Sequence, residues 1–339
     1  MRRPLLADRA VALAGAEAVF CLVTADRAGV FIDGRYRVQV KAQVDLAAFT
    51  PVSWPETQPG PWIGDHLSAG QVGFDPWLHT ADEIERIHAA LEGTEVGLRA
   101  VGNMVDAIWA DQPDPPLGAA FVHPDELAGE TSAAKRARLA EELRKVGQRA
   151  AVITLPNSIC WLLNIRGADV PRNPVLHGFA ILGDDGKVSL FADAAKFPDI
   201  VRAHLGPDVV LLPPASFVPA LSELDGPVRV DKASAPLAVS DVLTEMKIHV
   251  VWGDDPCRLP KARKTPAEIE AMRQAHLRDG VAVVEFLHWL DTTAPKGGLT
   301  EIDVVRALEG FRRATNALHD ISFDTICGGG PHGAVIHYR

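Results

Sequence analysis

A strand-turn-strand signature occurs twice in this chain. Phe20–Asp33 (FCLVTADRAGVFID) reappears as Phe179–Asp193 (FAILGDDGKVSLFAD), with Phe20 falling on Phe179 and Phe31 on Phe191 once the second turn is allowed one more residue. Apolar runs punctuated by Gly and Asp are the pattern of two paired strands. Two further echoes keep the same order: Val72–Pro76 (VGFDP) with Val228–Lys232 (VRVDK), and Trp109–Pro113 (WADQP) with Trp252–Pro256 (WGDDP). The interval between copies is too long for a solenoid unit, so the chain reads as a duplicated α/β domain.

Around this repeat the remaining elements take their places. A turn at Asp26–Gly29 joins the first two strands, and Asp33-Gly34-Arg35-Tyr36 turns into a predicted helix over Arg37–Val44, with Asp33 as its cap. Pro51, Pro55, Pro59 and Pro61 mark a connection, and Val72–Phe74 a short strand. Thr80 with Glu83 forms a capping box for a helix bearing Ile84, Ile87 and Leu91 on one face. Asp111–Pro116 is an extended linker. The second copy opens with a helix from Ala133 to Val146 that Gly147 stops. Thr265, Pro266 and Glu268 start a long helix, and another starts at Thr300. Ile321–Cys327 and Ala334–Tyr338 are predicted strands around a glycine turn, an unfinished hairpin. Trp161, Trp252 and Trp289 read as core aromatics. The resulting division is 1–116, 117–258 and 259–339.

A net charge of −10 leaves no basic face for a nucleic-acid backbone. No run reaches the roughly 18 apolar residues of a membrane span. The opening MRRPLLADRAVALAGAEA has a leader-like look, but Asp8 and Arg9 interrupt its apolar part, so a signal peptide is rejected. Cys21, Cys160, Cys257 and Cys327 show no metal spacing and sit in or beside apolar segments. The expectation is a cytoplasmic protein without nucleic-acid or membrane partners.

The stretch Leu155–Leu182 carries the densest chemistry. Between two apolar runs it sets Asn164, Arg166, Asp169, Arg172 and Asn173 in a loop stiffened by Pro171 and Pro174. Such a loop suits a pre-shaped rim facing a ligand or a domain, or an ordinary surface connection. Together with FIDGRY (Phe31–Tyr36), WLLNIRGADVPRNPV (Trp161–Val175), the Lys264–Leu290 helix and Leu299–Tyr338, it resembles the three-domain cytosolic Xaa-Pro aminopeptidases (aminopeptidase P). The resemblance runs from about Glu17 to the last residue, in order and at matching spacing.

The resemblance implies an α/β fold of two tandem creatinase-type N-terminal domains plus the start of a pita-bread α+β metallopeptidase domain. It implies removal of an N-terminal residue before a penultimate proline by two divalent metals, usually Mn2+, held by two aspartates, a histidine and two glutamates. A carboxylate-rich site of that kind fits hard or borderline cations and activates a bridging hydroxide. In the family those ligands all follow the HY dipeptide, here His337-Tyr338, so no metal ligand and no bound cofactor is expected on this chain. HExxH, CxxC and helically spaced histidine pairs do not occur in the sequence either. The chain therefore reads as a fragment of such an enzyme, irregular at its start and inactive alone. By resemblance His337 contacts substrate, and the intact enzyme takes proline-containing peptides and is a homodimer.

Other candidates carry competing readings. Arg166, Asp169 and Asn173 either touch substrate or form a structural ion-pair loop. Gly328, Gly330 and Gly333 fit G-x-G-x-x-G, but Pro331 and the apolar AVIHY contradict the helix a phosphate turn must open. They read as a loop, and by resemblance Gly330 and Gly333 border the substrate pocket. The alternative from another class is a non-catalytic peptide-binding or dimerisation module of creatinase type. A nucleotide-binding protein rests on the glycine turn alone.

Overall fold

The computed structural model describes residues 9–14 and 19–338. The irregular start expected over residues 1–16 lies outside the described residues except for Arg9–Ala14. The chain forms two compact units. The first takes in residues up to Pro115 together with 230–254 and 335–337, and the second takes in 116–229 and 255–334 with Tyr338.

The first unit is built on a sheet. Its elements are β1 (Arg9–Ala14), β2 (Val19–Val23), β3 (Ala28–Ile32), α1 (Val40–Gln43), β4 (Phe49–Ser53), α2 (Pro59–His66), β5 (Ala69–Phe74), α3 (Ala81–Ala90) and β6 (Glu95–Ala100). The strand order is β4-β3-β2-β1-β5-β6. β1–β2 and β2–β3 are antiparallel, whereas β3–β4, β1–β5 and β5–β6 are parallel. Leu22, Phe31, Val52, Val72 and Val96 on the strands meet Trp62 and Ile63 of α2 and Leu91 after α3 in one core. Gly29 is required there: a Cβ would lie 2.8 Å from the Trp62 indole. The predicted box on α3 is present, with Thr80 and Glu83 capping each other's backbone.

The second unit repeats this plan. It contains β7 (Phe121–Val122), α4 (Asp125–Ala128), α5 (Ser132–Lys145), β8 (Ala150–Ile153), α6 (Pro156–Leu163), β9 (Ile165–Arg166), β10 (Phe179–Gly183), β11 (Val188–Phe191), α7 (Asp199–Leu205), β12 (Val209–Leu212), α8 (Phe217–Ser222) and β13 (Val228–Val230). With β14 (Val250–Trp252) at the edge, the order β12-β11-β10-β8-β13-β14 runs through its sheet. β8–β10 and β10–β11 are antiparallel, and β11–β12 and β8–β13 parallel. This matches the first unit strand for strand. Phe20 sits opposite Phe31, and Phe179 opposite Phe191. Thr24 N–H closes its turn on Arg27 O, while Gly183 N–H reaches Lys187 O, one residue farther.

Next along the chain come α9 (Leu237–Glu245), which groups with the first unit, then α10 (Arg258–Ala262), α11 (Pro266–Thr293) and α12 (Glu301–Ala314) in the second. Thr265 and Glu268 complete the predicted capping box of α11.

Several expectations are corrected. Only Val40–Gln43 of the predicted Arg37–Val44 helix is helical, because Asp33 does not cap it: its carboxylate is taken by Arg35 instead. The proline-rich connection contains β4 and α2, the latter with proline in its first turn. Trp252 is 44% exposed, with the Lys232 ammonium over its ring, and Trp109 lies outside any strand, so the third echo has no structural counterpart. No strand forms over Ile321–Cys327 or Ala334–Tyr338; Gly330–Ala334 is a 3-10 turn. A hairpin alone is marginal, and here the loop's Gly329 N–H is taken by the Glu301 carboxylate rather than by a partner strand.

Candidate functional site

His337, the residue the resemblance singled out, belongs to the first unit. Its Nδ1 lies 3.4 Å from the Tyr36 hydroxyl, and the two rings are tilted at 51° with centroids 5.3 Å apart. Tyr36 is set by the turn that precedes it. Asp33 Oδ1 accepts the Arg35 N–H at 2.8 Å, the Arg35 guanidinium binds both carboxylate oxygens, and Tyr36 N–H closes on Asp33 O at 3.1 Å. Arg35 holds the Asp33 carboxyl below its ordinary range, and the His337 ring adds a smaller effect of the same sign. The Tyr36 ring rests on Val30, Ile32 and Val40.

The polar loop of the second unit begins where α6 ends. Asn164, left-handed at φ 48°, closes the helix. Its side chain is a buried junction: Nδ2 donates to Asp125 Oδ1 (2.7 Å) and Glu130 O (2.8 Å), and Oδ1 accepts from Lys135 Nζ at 2.6 Å. Lys135 is 2% exposed, donates to Trp161 O at 3.0 Å and stands over the Trp161 ring. Burial pushes its pKa down to about 8. His123 nearby is pushed down to about 4, by burial first and then by Arg166 and Lys135. Arg166 Nη1 donates to Ile165 O at 2.8 Å and Cys160 O at 3.4 Å, leaving a half-buried guanidinium committed to its own backbone.

Asp169 is fully enclosed and saturated. Oδ1 accepts Gly118 N–H at 2.9 Å, and Oδ2 accepts His177 N–H at 2.6 Å and Lys196 Nζ at 2.7 Å. This is a structural ion pair that anchors the loop. Gly118 is needed for it, since a Cβ would collide with the Ala168 carbonyl at 2.3 Å. Asn173 is exposed and closes a turn on Val170 O, and Arg172 bonds Asp320 at 2.5 Å and Asp324 at 3.1 Å. Gly330, at φ 54°, and Gly333 lie in a turn pinned by Glu301, whose carboxylate takes Gly329 N–H and His332 Nδ1. His332 stacks on Tyr338 at 4.2 Å.

The loop thus gathers Arg166, Asp169 and Asn173 in sequence, but each has separate bonds. Lys135, Lys196, Glu301 and His332 were not singled out from sequence. Lys135 had a signal: it lies four residues before Leu139 and eight before Leu143, on the buried face of α5. Among the described residues no group of three or more His, Cys, Asp or Glu side chains is disposed to hold a metal ion.

The Creatinase/Prolidase N-terminal domain family matches residues 111–268, and Metallopeptidase family M24 matches residues 270–339. Fold and matches together define a mixed α/β chain with a creatinase-type N-terminal domain and the start of an M24 domain. A probable Xaa-Pro aminopeptidase P of Neosartorya fischeri is 34% identical, over 94% of this chain and 51% of its own length. One of Laccaria bicolor is 32% identical over the same shares. The X-prolyl aminopeptidase of Caenorhabditis elegans, described as a cytosolic enzyme with a di-nuclear active site, superposes with a TM-score of 0.87 at 29% identity, over 95% of this chain and 54% of that one. The chain spans about half the length of the curated relatives it matches. Over 94% of its own length it is similar to these Xaa-Pro aminopeptidases P.

Proposed function

We propose that these residues form the N-terminal part of an Xaa-Pro aminopeptidase, which hydrolyses the peptide bond before a penultimate proline. The superposition on the X-prolyl aminopeptidase over 95% of the chain carries this reading. The proposed layout is two creatinase-type domains, 1–116 and 117–258, and the opening of a pita-bread domain, 259–339. The proposed setting is cytoplasmic and homodimeric. The two divalent ions, taken as manganese, would be held by polypeptide other than these residues.

Within that reading His337 donates a hydrogen bond to the substrate carbonyl, a contact that strengthens as charge develops on the oxygen. Arg166, Asn173, Gly330 and Gly333 shape the peptide's surroundings, and Asp169 contributes by fixing the loop. Alone, the chain is proposed to be inactive. The test is an assay of purified chain with Mn2+ on an Xaa–Pro peptide, alongside native mass. No metal-dependent cleavage is expected, and a metal-dependent rate would overturn the proposed inactivity.

The second reading, a non-catalytic peptide-binding or dimerisation module, draws on the lack of a metal-holding group among the described residues. Calorimetry with a non-cleavable proline peptide separates the two, since only the module binds it tightly without a catalytic portion.

A further inference from the structure

We infer that Tyr36 is a positioning residue that fixes the tautomer of His337. The inference rests on the proposed role of His337 as a hydrogen-bond donor to substrate. A neutral imidazole carries one ring proton, and the bond made by one nitrogen decides which nitrogen keeps it. The Tyr36 hydroxyl stands 3.4 Å from Nδ1. With the phenol donating to Nδ1, the proton resides on Nε2, and Nε2–H is the donor left for a ligand.

The surroundings support a fixed rather than a passing contact. Three apolar side chains, Val30, Ile32 and Val40, back the Tyr36 ring. Its backbone is tied at both ends, N–H to Asp33 O and carbonyl to Val40 N–H. The Arg35 guanidinium lies 5.8 Å from the ring centroid and is paired with Asp33. A side chain held on a core platform places its polar atom within the tolerance that a catalytic hydrogen bond needs.

The experiment is nitrogen-15 NMR of the histidine rings in the 339-residue chain above neutral pH, with the His337 signals assigned by their loss in His337→Gln. Wild type is expected to show a hydrogen-bonded, unprotonated Nδ1 and a protonated Nε2. Tyr36→Phe keeps the ring packing and removes only the hydroxyl. It is expected to shift the Nδ1 resonance and to raise the share of the Nδ1–H tautomer. Tyr36→Leu provides a second test, and amide spectra check that each variant is folded. Identical His337 resonances in wild type and Tyr36→Phe would overturn the inference, as would an Nδ1–H tautomer in wild type. A tautomer effect with no peptide cleavage by any assembly containing the chain would uphold the positioning role while overturning the proposed function.

Discussion

Lys135 is the most exacting side chain in the second unit. Its ammonium is buried against a carbonyl, an amide oxygen and an indole face, and no carboxylate among the described residues bonds to it. Desolvation dominates, so its pKa falls to about 8, against about 10.4 in an unfolded chain. Between those values the unfolded state binds more protons than the folded one, and stability contributed by this residue rises with pH through that window. The penalty is fully present below pH 8 and amounts to roughly 3 kcal/mol. Cys160 and Cys257, whose thiols burial pushes up, oppose the trend at higher pH. The measurement is therefore a difference: wild type gains stability relative to Lys135→Met in urea unfolding as pH rises from about 8 to about 10. A flat difference would show the ammonium to be solvated. The variant also removes the Lys135 donor to the buried Asn164 Oδ1, a pH-independent cost of about 1–3 kcal/mol.

At the scale of elements, the duplicated sheet makes a paired prediction. Phe31 is fully buried and stacks on its cross-strand neighbour Phe20 at 4.4 Å; Phe191 is fully buried and contacts Phe217, which itself stacks on Phe179. Each phenylalanine sits at the same register in its unit, so Phe31→Ala and Phe191→Ala should cost similar amounts, about 3–5 kcal/mol each in urea unfolding. A much smaller loss at either site would mean that its unit does not use the shared core plan. These strands were legible because apolar runs flank a turn of Asp, Gly and small residues. β1 was not: after Arg9 its AVALA run has none of the alternation of a half-buried strand, because it lies between β2 and β5 inside the sheet. β4 was hidden by Pro51, which an edge strand tolerates. The hairpin at the end was over-read for the opposite reason. Ile321-Ser-Phe-Asp-Thr alternates like a strand, but no ladder forms on it among the described residues. At the candidate site, the polar loop stood out by residue type and His337 by the family resemblance. The partners Lys196 and Glu301 did not, since the ion pair to Asp169 and the clamp on Gly329 link residues distant in sequence.

For the whole molecule, the clearest liability lies on α11. This helix runs from Pro266 to Thr293, yet only Ala282 and Phe286 along it are buried. Leu277, Val281 and Val284 are spaced to share one face, and they are 65%, 60% and 67% exposed. Helix α12 packs on α11 but has no buried residue of its own, and its Ile302 is also largely exposed. Contiguous apolar surface of this kind drives association in water. The chain should therefore sediment as a mixture whose larger species grow with concentration, and it should enhance the fluorescence of an apolar dye. Replacing Leu277, Val281 and Val284 together with Gln, Lys and Glu should reduce both signals without lowering the unfolding midpoint, because none of the three contributes to a core. The α11 capping box, Thr265 with Glu268, lies well away from these positions and should keep the helix intact in the variant. If wild type stays monodisperse and dark to the dye at every concentration, the apolar face is not a liability. The reading of the chain as a self-sufficient binding module would then gain over that of one part of an aminopeptidase.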